Sequence, residues 1–563
     1  MTVAVALALV GCARGTGEHT AIAPKTTTPE DTDSDTGPTS DVTPASVVCA
    51  DPSDRTAMGA FTATSIPAPP AEFINLTEGG VVVADFDGDG LSDLFVAKLA
   101  PMLLLLNADR ATFSDVSAVA LPDEAIFLNI VGGAAADYDG DGDIDLYVAL
   151  FGHPNVLLNN DGNGVFVDVT ALAMPDRPCL DESTGLNIDC FSQSASWADM
   201  DLDGDLDLAV ANYGDTPLDP LDPTMAPGGR KELYRNLGDG TFEDVSWMLP
   251  DSVHDGYGFH MIWVDVDEDG FPELWSVHDF GYVRASQLVD NIGGTLGPVD
   301  VTNGLDSPFE DMGVGVGDIT GDGVPDFVTT SYVDISLRES NRSLGVTLNG
   351  VSYVDAADAH NLEVDPQQTG TKHQEFGWAA EVADVDNDSD LDVIATYGYW
   401  QTYVYSGRWE SDALWINETG LFNQVGEDPF WAIDDNGAER GLVVADLNQD
   451  GWVDVVKGSL EGPTPVYLSR CGSENWLEVL PRLDSGMNRF AIGAKVVATT
   501  PDGQEQTRWV SAGSSSLYSS GPPEVHFGLA DQGTATVTIR WPDQSLDVYD
   551  DVVASQRIEL RPR

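Results

Sequence analysis

The acidic residues of this chain are patterned rather than scattered. In "DFDGDGLSD", residues 85–93, aspartates stand at positions 1, 3, 5 and 9 of nine, with Gly90 at position 6. Alternate residues of a tight loop point inward together. Hard carboxylate oxygens at that spacing suit Ca²⁺, which takes six to eight oxygen ligands. Glycine at position 6 allows the left-handed turn that brings the oxygens round. The pattern starts again at Asp137, Asp199, Asp265, Asp318, Asp384 and Asp446, seven copies at intervals of 52 to 66 residues. The expected ligands are Asp85, Asp87, Asp89 and Asp93, then Asp137, Asp139, Asp141 and Asp145, and then Asp199, Asp201, Asp203 and Asp207. The later loops contribute Asp265, Asp267, Asp269 and Glu273, then Asp318, Thr320, Asp322 and Asp326. The last two contribute Asp384, Asp386, Asp388 and Asp392, and Asp446, Asn448, Asp450 and Asp454. Up to seven Ca²⁺ ions are expected in a structural role: the clusters repel themselves when bare and become rigid when loaded. The first three loops are complete. Thr320, Ser389 (in place of glycine) and Asn448 predict weaker binding in the last three.

Elements must hold these loops in place. Each lies between two short apolar runs, "VVVAD" and "LFVA" around the first, which read as strands. A second element repeats out of phase, an aromatic-x-Asp-Val-Thr pattern at Phe113, Phe166 and Phe242, with looser copies at Pro298, Tyr353 and Phe422. Such self-similarity marks a repeat architecture. Units of about 60 residues with four strands fit a β-propeller blade. The expected fold is all-β: a seven-bladed β-propeller over 46–471 and a small all-β domain over 472–563, where polar and apolar residues alternate between Gly/Asp turns. The seventh loop has no second element after it, whereas "FINLT" at Phe73 precedes the first loop without a partner. Strand 73–77 is therefore expected to complete the last blade and close the ring.

The repeats resemble the FG-GAP/VCBS repeats of integrin α-chain-like propellers over roughly residues 70 to 471. That resemblance implies that each loop joins the first two strands of its blade on one face, with ligands met on the opposite face. The C-terminal segment resembles the ASPIC/UnbV domain, as in cartilage-acidic-protein-like chains, through Asn488-Arg489-Phe490-Ala491-Ile492-Gly493-Ala494, His526-Phe527-Gly528-Leu529 and Trp541-Pro542. It departs from that pattern at "GSSSLYSSGPP".

The chain has 94 acidic and 25 basic residues, a formal charge of −69. Seven Ca²⁺ would leave −55, which argues against nucleic acid or an anionic lipid surface as partner. No apolar run is long enough for a spanning helix. The start, "MTVAVALALVGC", resembles a bacterial lipobox with Cys12 as the acylated residue, although no Lys or Arg precedes it. Residues 13–45, rich in Thr, Pro, Asp and Gly, read as a disordered tether. The expected location is the outer membrane or cell surface through that lipid, or secretion. In an exported protein disulfides persist. Cys179 and Cys190 share one loop and are expected to pair, and Cys49 with Cys471 would staple the ring closure; a zinc site fits such scattered cysteines poorly.

No nucleotide-binding, hydrolase-elbow or zincin motif stands out. Five residues before each loop stand Gly80, Gly132, Ser194, His260, Gly313, Ala379 and Gly441. Six of these are small, as crowding around a channel requires. His260, with His254, His278, His373 and Glu375, would form an acid/base or metal site if the residues converged; the plainer reading of His260 is a channel-filling histidine. Trp247, Tyr257, Trp378, Tyr397, Tyr399, Trp400 and Trp431 fall in loops expected on the ligand face, where aromatic rings stack on sugars or fill protein pockets. Tyr399 and Trp400 are the ligand-binding candidates; the alternative is packing between blades. Sequons at Asn75, Asn341 and Asn417 are read as incidental. The resulting expectation is a monomeric, non-enzymatic adhesion or recognition protein for an extracellular glycan or protein. The alternatives are a carbohydrate lyase or hydrolase at the channel mouth, or an assembly scaffold.

Overall fold

The computed structural model describes residues 61–66 and, between 79 and 563, all but connecting segments, the longest being 215–227, 363–375, 399–411 and 426–438. Within these residues seven four-stranded antiparallel sheets follow one another along the chain. Their innermost strands are Val81–Ala84, Ile130–Ala136, Ser192–Ala198, Tyr257–Val264, Asp311–Gly317, Gly377–Ala383 and Glu439–Ala445. Each inner strand packs on the next and the seventh packs on the first, so the sheets are the blades of a closed ring. The aromatic-x-Asp elements are the outermost strands, as at Phe113–Asp115 and Phe166–Asp168. Trp197, Trp275 and Trp415 are fully buried.

The ring is closed by an N-terminal strand, but not by 73–77. Phe61–Ile66 runs antiparallel to Thr464–Ser469 and completes the seventh sheet; residues 73–77 lie outside the described ones. Chain length explains the correction. From residue 77 to Val81 there are four peptide steps, about 14 Å at full stretch. A four-stranded blade is itself about 14 Å across, which leaves nothing for a turn. From Ile66 the chain has 15 steps, like the return paths of other blades.

The C-terminal domain is a two-sheet β-sandwich. Val525–Ala530, Asn475–Pro481 and Gln556–Leu560 form one sheet, and Glu505–Trp509, Lys495–Thr499, Thr534–Arg540 and Leu546–Val553 form the other. Its core residues, among them Phe527, Val537 and Trp541, belong to one apolar cluster with Phe86, Tyr138 and Trp197 of the propeller. The described residues of the divergent stretch, 513, 516 and 518–523, enter the propeller channel. Ala512–Gly513 pairs with Trp197 and Ser196 as a fifth strand of the third blade. Across the channel, Val83 N–H donates to the Ser520 carbonyl at 2.8 Å and Ser520 N–H to the Val81 carbonyl at 3.0 Å. Ser519 Oγ accepts from Val81 N–H and from Leu442 N–H of the seventh blade. Tyr518, φ +62°, lays its carbonyl so close to Gly80 and Gly132 that a Cβ at either would collide with it. The small residues expected around the channel are thus small partly because this plug occupies it.

The other residues singled out from the sequence fall out as follows. Cys12, the 13–45 tether, Cys49, Cys179 and Cys471 lie outside the described residues. Cys190 is buried and disulfide-bonded. No described helix is long and apolar enough to cross a membrane.

Candidate cation loops and the faces of the ring

Each aspartate loop is first a folded backbone. The position-1 carboxylate accepts the backbone N–H of position 6 in six loops, at 2.6 to 3.1 Å, as in Asp85 with Gly90 and Asp446 with Gly451. The position-9 carboxylate accepts the N–H of position 2 in all seven, at 2.8 to 3.3 Å. Its other oxygen accepts an N–H from the end of the third strand in every blade but the fourth, for example Asp145 from Asn160 at 2.8 Å. Glu273, one methylene longer, makes only the first of these bonds. Position 9 therefore fastens three strands at their loop end as well as offering an oxygen.

Five loops bring three carboxylates within 4.8 Å of one another: Asp85/Asp87/Asp93, Asp137/Asp139/Asp145, Asp199/Asp201/Asp203, Asp265/Asp267/Asp269 and Asp384/Asp386/Asp392. Asp89, Asp141, Asp207, Glu273 and Asp388 stand outside these triads. Burial pushes Asp93, Asp137 and Asp199 up to about 7, Asp145 to about 9 and Glu273 to about 10. Buried oxygens of Asp137, Asp201, Asp265 and Asp386 receive no donor from the protein. Carboxylates that are crowded, buried and short of donors are the set a hard divalent cation satisfies. The loops at Asp318 and Asp446 form no such triad. In the former, Thr320 Oγ1 donates to Asp326 at 3.1 Å and Ser340 Oγ to Asp322 at 2.8 Å, so hydroxyls do part of a cation's work. In the latter, Asn448 Oδ1 accepts the Asp450 N–H at 2.9 Å. The loop at Asp384, expected to be weak, has its triad.

One repeated element escaped the sequence reading. Asn107, Asn160, Asn236 and Asn291, buried at the ends of third strands, each donate from Nδ2 to the position-2 carbonyl of the preceding blade's loop: Leu447, Phe86, Tyr138 and Met200, at 2.7 to 2.9 Å. The visible signal is an Asn followed by a Gly-containing turn at Asn160, Asn236 and Asn291, whereas the turn after Asn107 has no glycine. Asn417, in a sequon, is likewise buried and donates to Leu391 O, which is incompatible with a glycan there. Asn160→Ala leaves two buried carbonyls without a donor. It is expected to cost about 2 kcal/mol, read as a shift in the urea midpoint in calcium.

The described histidines of this set do not assemble. His260 is fully buried with no partner on either ring nitrogen, His254 Nε2 faces Ser246 O at 3.2 Å, and His278 bonds Ser276 Oγ and Ala285 O, both at 2.9 Å. His373 and Glu375 lie outside the described residues. Burial lowers His260 to about 3. A depressed histidine gives stability that is full above its unfolded value near 6.5 and lost as pH falls toward the folded one. At saturating calcium, His260→Leu is expected to lose less stability than the parent between pH 6.5 and 5, measured by thermal melts.

The aromatic residues divide. Tyr257, Trp378 and Tyr397 are buried, contrary to a ligand-facing role. Trp378 carries the Arg440 guanidinium 3.9 Å above its ring. Trp247 is 73 % exposed, on the turn after the third blade's outer strand. Tyr399, Trp400, Trp431 and Asn75 lie outside the described residues. Inter-blade packing claims the first group because neighbouring sheets need large side chains to fill the space between them.

The loop face is covered in part by the C-terminal domain. Arg540 donates to Asp265 Oδ2 at 3.0 Å and to Glu268 O at 3.1 Å. Lys495 donates to Glu268 Oε1 at 2.5 Å and to Gly323 O at 2.7 Å. His526 Nε2 lies 3.1 Å from Gly451 O. A cavity of about 240 Å³ remains between the sandwich and the channel walls, lined by Ile262, Val382, Val444, Arg508 and Pro522 among others.

The fold and its loops define an FG-GAP propeller fused to, and capped by, an ASPIC/UnbV domain. The chain matches the FG-GAP-like repeat family over residues 85–148, 137–210 and 199–276, and the ASPIC and UnbV family over 484–563. It is homologous to cartilage acidic protein 1: 25 % identical to the Homo sapiens protein over 505 residues, covering 82 % of this chain and 68 % of that one, and 25 % identical to the Mus musculus protein, covering 82 % and 70 %. Among solved structures, an Agrocybe aegerita lectin that recognises non-reducing terminal N-acetylglucosamine aligns with a TM-score of 0.38 at 16 % identity, covering 69 % of this chain and 87 % of that one. The V. cholerae biofilm matrix protein Bap1 aligns with a TM-score of 0.31 at 12 % identity, covering 88 % and 71 %. The two domains together point to a surface or adhesion-type protein located outside the cell or at its surface.

Proposed function

We propose that this chain is a calcium-loaded recognition or adhesion protein of the extracytoplasmic surface, not an enzyme, and that its ions are structural. The observation that carries the reading is the set of five carboxylate triads in register around one face, with buried oxygens that lack donors. Ca²⁺ in each would supply the missing positive charge, held by the position-1 and position-3 aspartates together with position 5 or 9. The C-terminal domain covers part of that face and enters the channel, which favours the opposite face and the rim for an extracellular glycan or protein. The protein would act as a monomer, reach the membrane only through lipid on Cys12, and bind no nucleic acid. The test is a broad glycan array probed with residues 46–563 in calcium and in EDTA. Calcium-dependent capture of a defined glycan class supports the reading. Turnover of a captured glycan would overturn its non-enzymatic part, and binding indifferent to EDTA would overturn the structural role of calcium.

A further inference from the structure

Position 6 of the aspartate loop is glycine in six blades, with φ between +81° and +102°. In the sixth blade it is Ser389, and it adopts the same conformation, φ +86°. A side chain in that region costs about 1–2 kcal/mol, so a serine there calls for a compensating contact. One is present. Ser389 Oγ donates to Gly528 O of the C-terminal domain at 3.1 Å, and Ala530 N–H donates to Asn387 O of the same loop at 2.9 Å. Gly528 lies against the Asp384 carboxylate and Asn387, where any Cβ would collide. The loop backbone that positions 384–392 must adopt around a cation is therefore the surface that the edge strand Val525–Ala530 reads.

The sixth loop also differs from its neighbour. In the seventh, Gly451 is covered by the Trp476 ring, so the side chain is on the domain and the glycine on the loop; in the sixth the roles are reversed. The Asp384, Asp386 and Asp392 triad is intact, Asp386 Oδ1 receives no donor, and Asn387, fully buried, has an Oδ1 without a partner.

We propose that the sixth loop couples calcium to the C-terminal domain: a cation held by Asp384, Asp386 and Asp392 fixes the backbone of 387–389, and that order passes through Ser389 to Gly528 and through the Asn387 carbonyl to Ala530. The inference rests on the calcium reading above. Coupling of this kind is reciprocal, so docking of the domain would tighten calcium at this loop by the same factor.

The test uses the full chain and the variant Ser389→Gly, which restores the common loop residue, relieves the backbone by removing Cβ and takes the hydroxyl away with it. Amide hydrogen exchange of 526–530 is followed with and without calcium, alongside the melting temperature. In the parent, EDTA is expected to raise exchange at 526–530 at least fivefold. In Ser389→Gly, exchange there is expected to be roughly fivefold faster than in the parent in calcium, the loss of one hydrogen bond, and less sensitive to EDTA, while calcium still raises the melting temperature. If EDTA lowers the melting temperature but leaves 526–530 protected, or if Ser389→Gly behaves as the parent, the coupling is wrong and the calcium reading stands. If EDTA changes neither quantity, both fall.

Discussion

Removing calcium is expected to lower the melting temperature by roughly 13 °C. A site held at 100 times its Kd contributes about 2.7 kcal/mol to the folded state, and five triads together roughly 13 kcal/mol. With an unfolding entropy of about 2.1 cal/mol/K per residue, the described part of the chain loses about one degree per kcal/mol. The stripped protein should also acquire a pH dependence the loaded one lacks. Carboxyls that burial raises to about 7 in Asp93, Asp137 and Asp199 and about 9 in Asp145 favour the neutral form in the fold. Their contribution is full below their unfolded values near 4 and is lost as pH rises through the folded ones. In EDTA the melting temperature should therefore fall between pH 5 and pH 9, whereas in calcium it should not. Calorimetry at both pH values decides this, and a melting temperature indifferent to EDTA would refute a structural role for the ions.

The second large effect is expected at the plug. Gly132→Val places a branched side chain into the Tyr518 backbone. Overpacking of a fixed core site costs about 1–3 kcal/mol, and here backbone rather than a flexible side-chain end must yield, so about 3 kcal/mol is expected. Part of the cost should appear locally. The amides of Val83 and Ser520, which donate across the channel, should exchange at least tenfold faster in the variant. Gly486→Ala, where nothing lies within 4 Å although φ is +99°, is the control and should cost only about 1 kcal/mol. Equal losses in the two variants would mean that the plug does not bear on the ring's stability.

The plug also joins separate blades. Ser519 ties the first blade to the seventh and Gly513 adds an edge to the third, so the C-terminal domain spans the channel as a spoke. On the recognition role proposed above, recognition and ring closure would be tasks of different surfaces.

What the sequence by itself determined is the local and repeated part. Aspartates at positions 1 and 9 form the loop because their carboxylates accept its own backbone N–H groups, as Asp85 does from Gly90 and Asp93 from Phe86. The seven loops and the aromatic-x-Asp outer strands were legible because each unit must solve the same packing problem. The tertiary structure alone decided the contacts that join distant segments. FINLT looks more like an outer strand than FTATSI does, yet the length of chain needed to cross a blade selects Phe61–Ile66. Tyr257, Trp378 and Tyr397 look like exposed loop aromatics, yet neighbouring blades bury them. Ser389 looks like a defect in a cation loop, and it becomes a docking contact only because Gly528, 139 residues away, comes to lie against it. Spacing along a chain encodes what neighbours in sequence do together; which surfaces meet depends on the summed packing of all seven blades, which no local pattern contains.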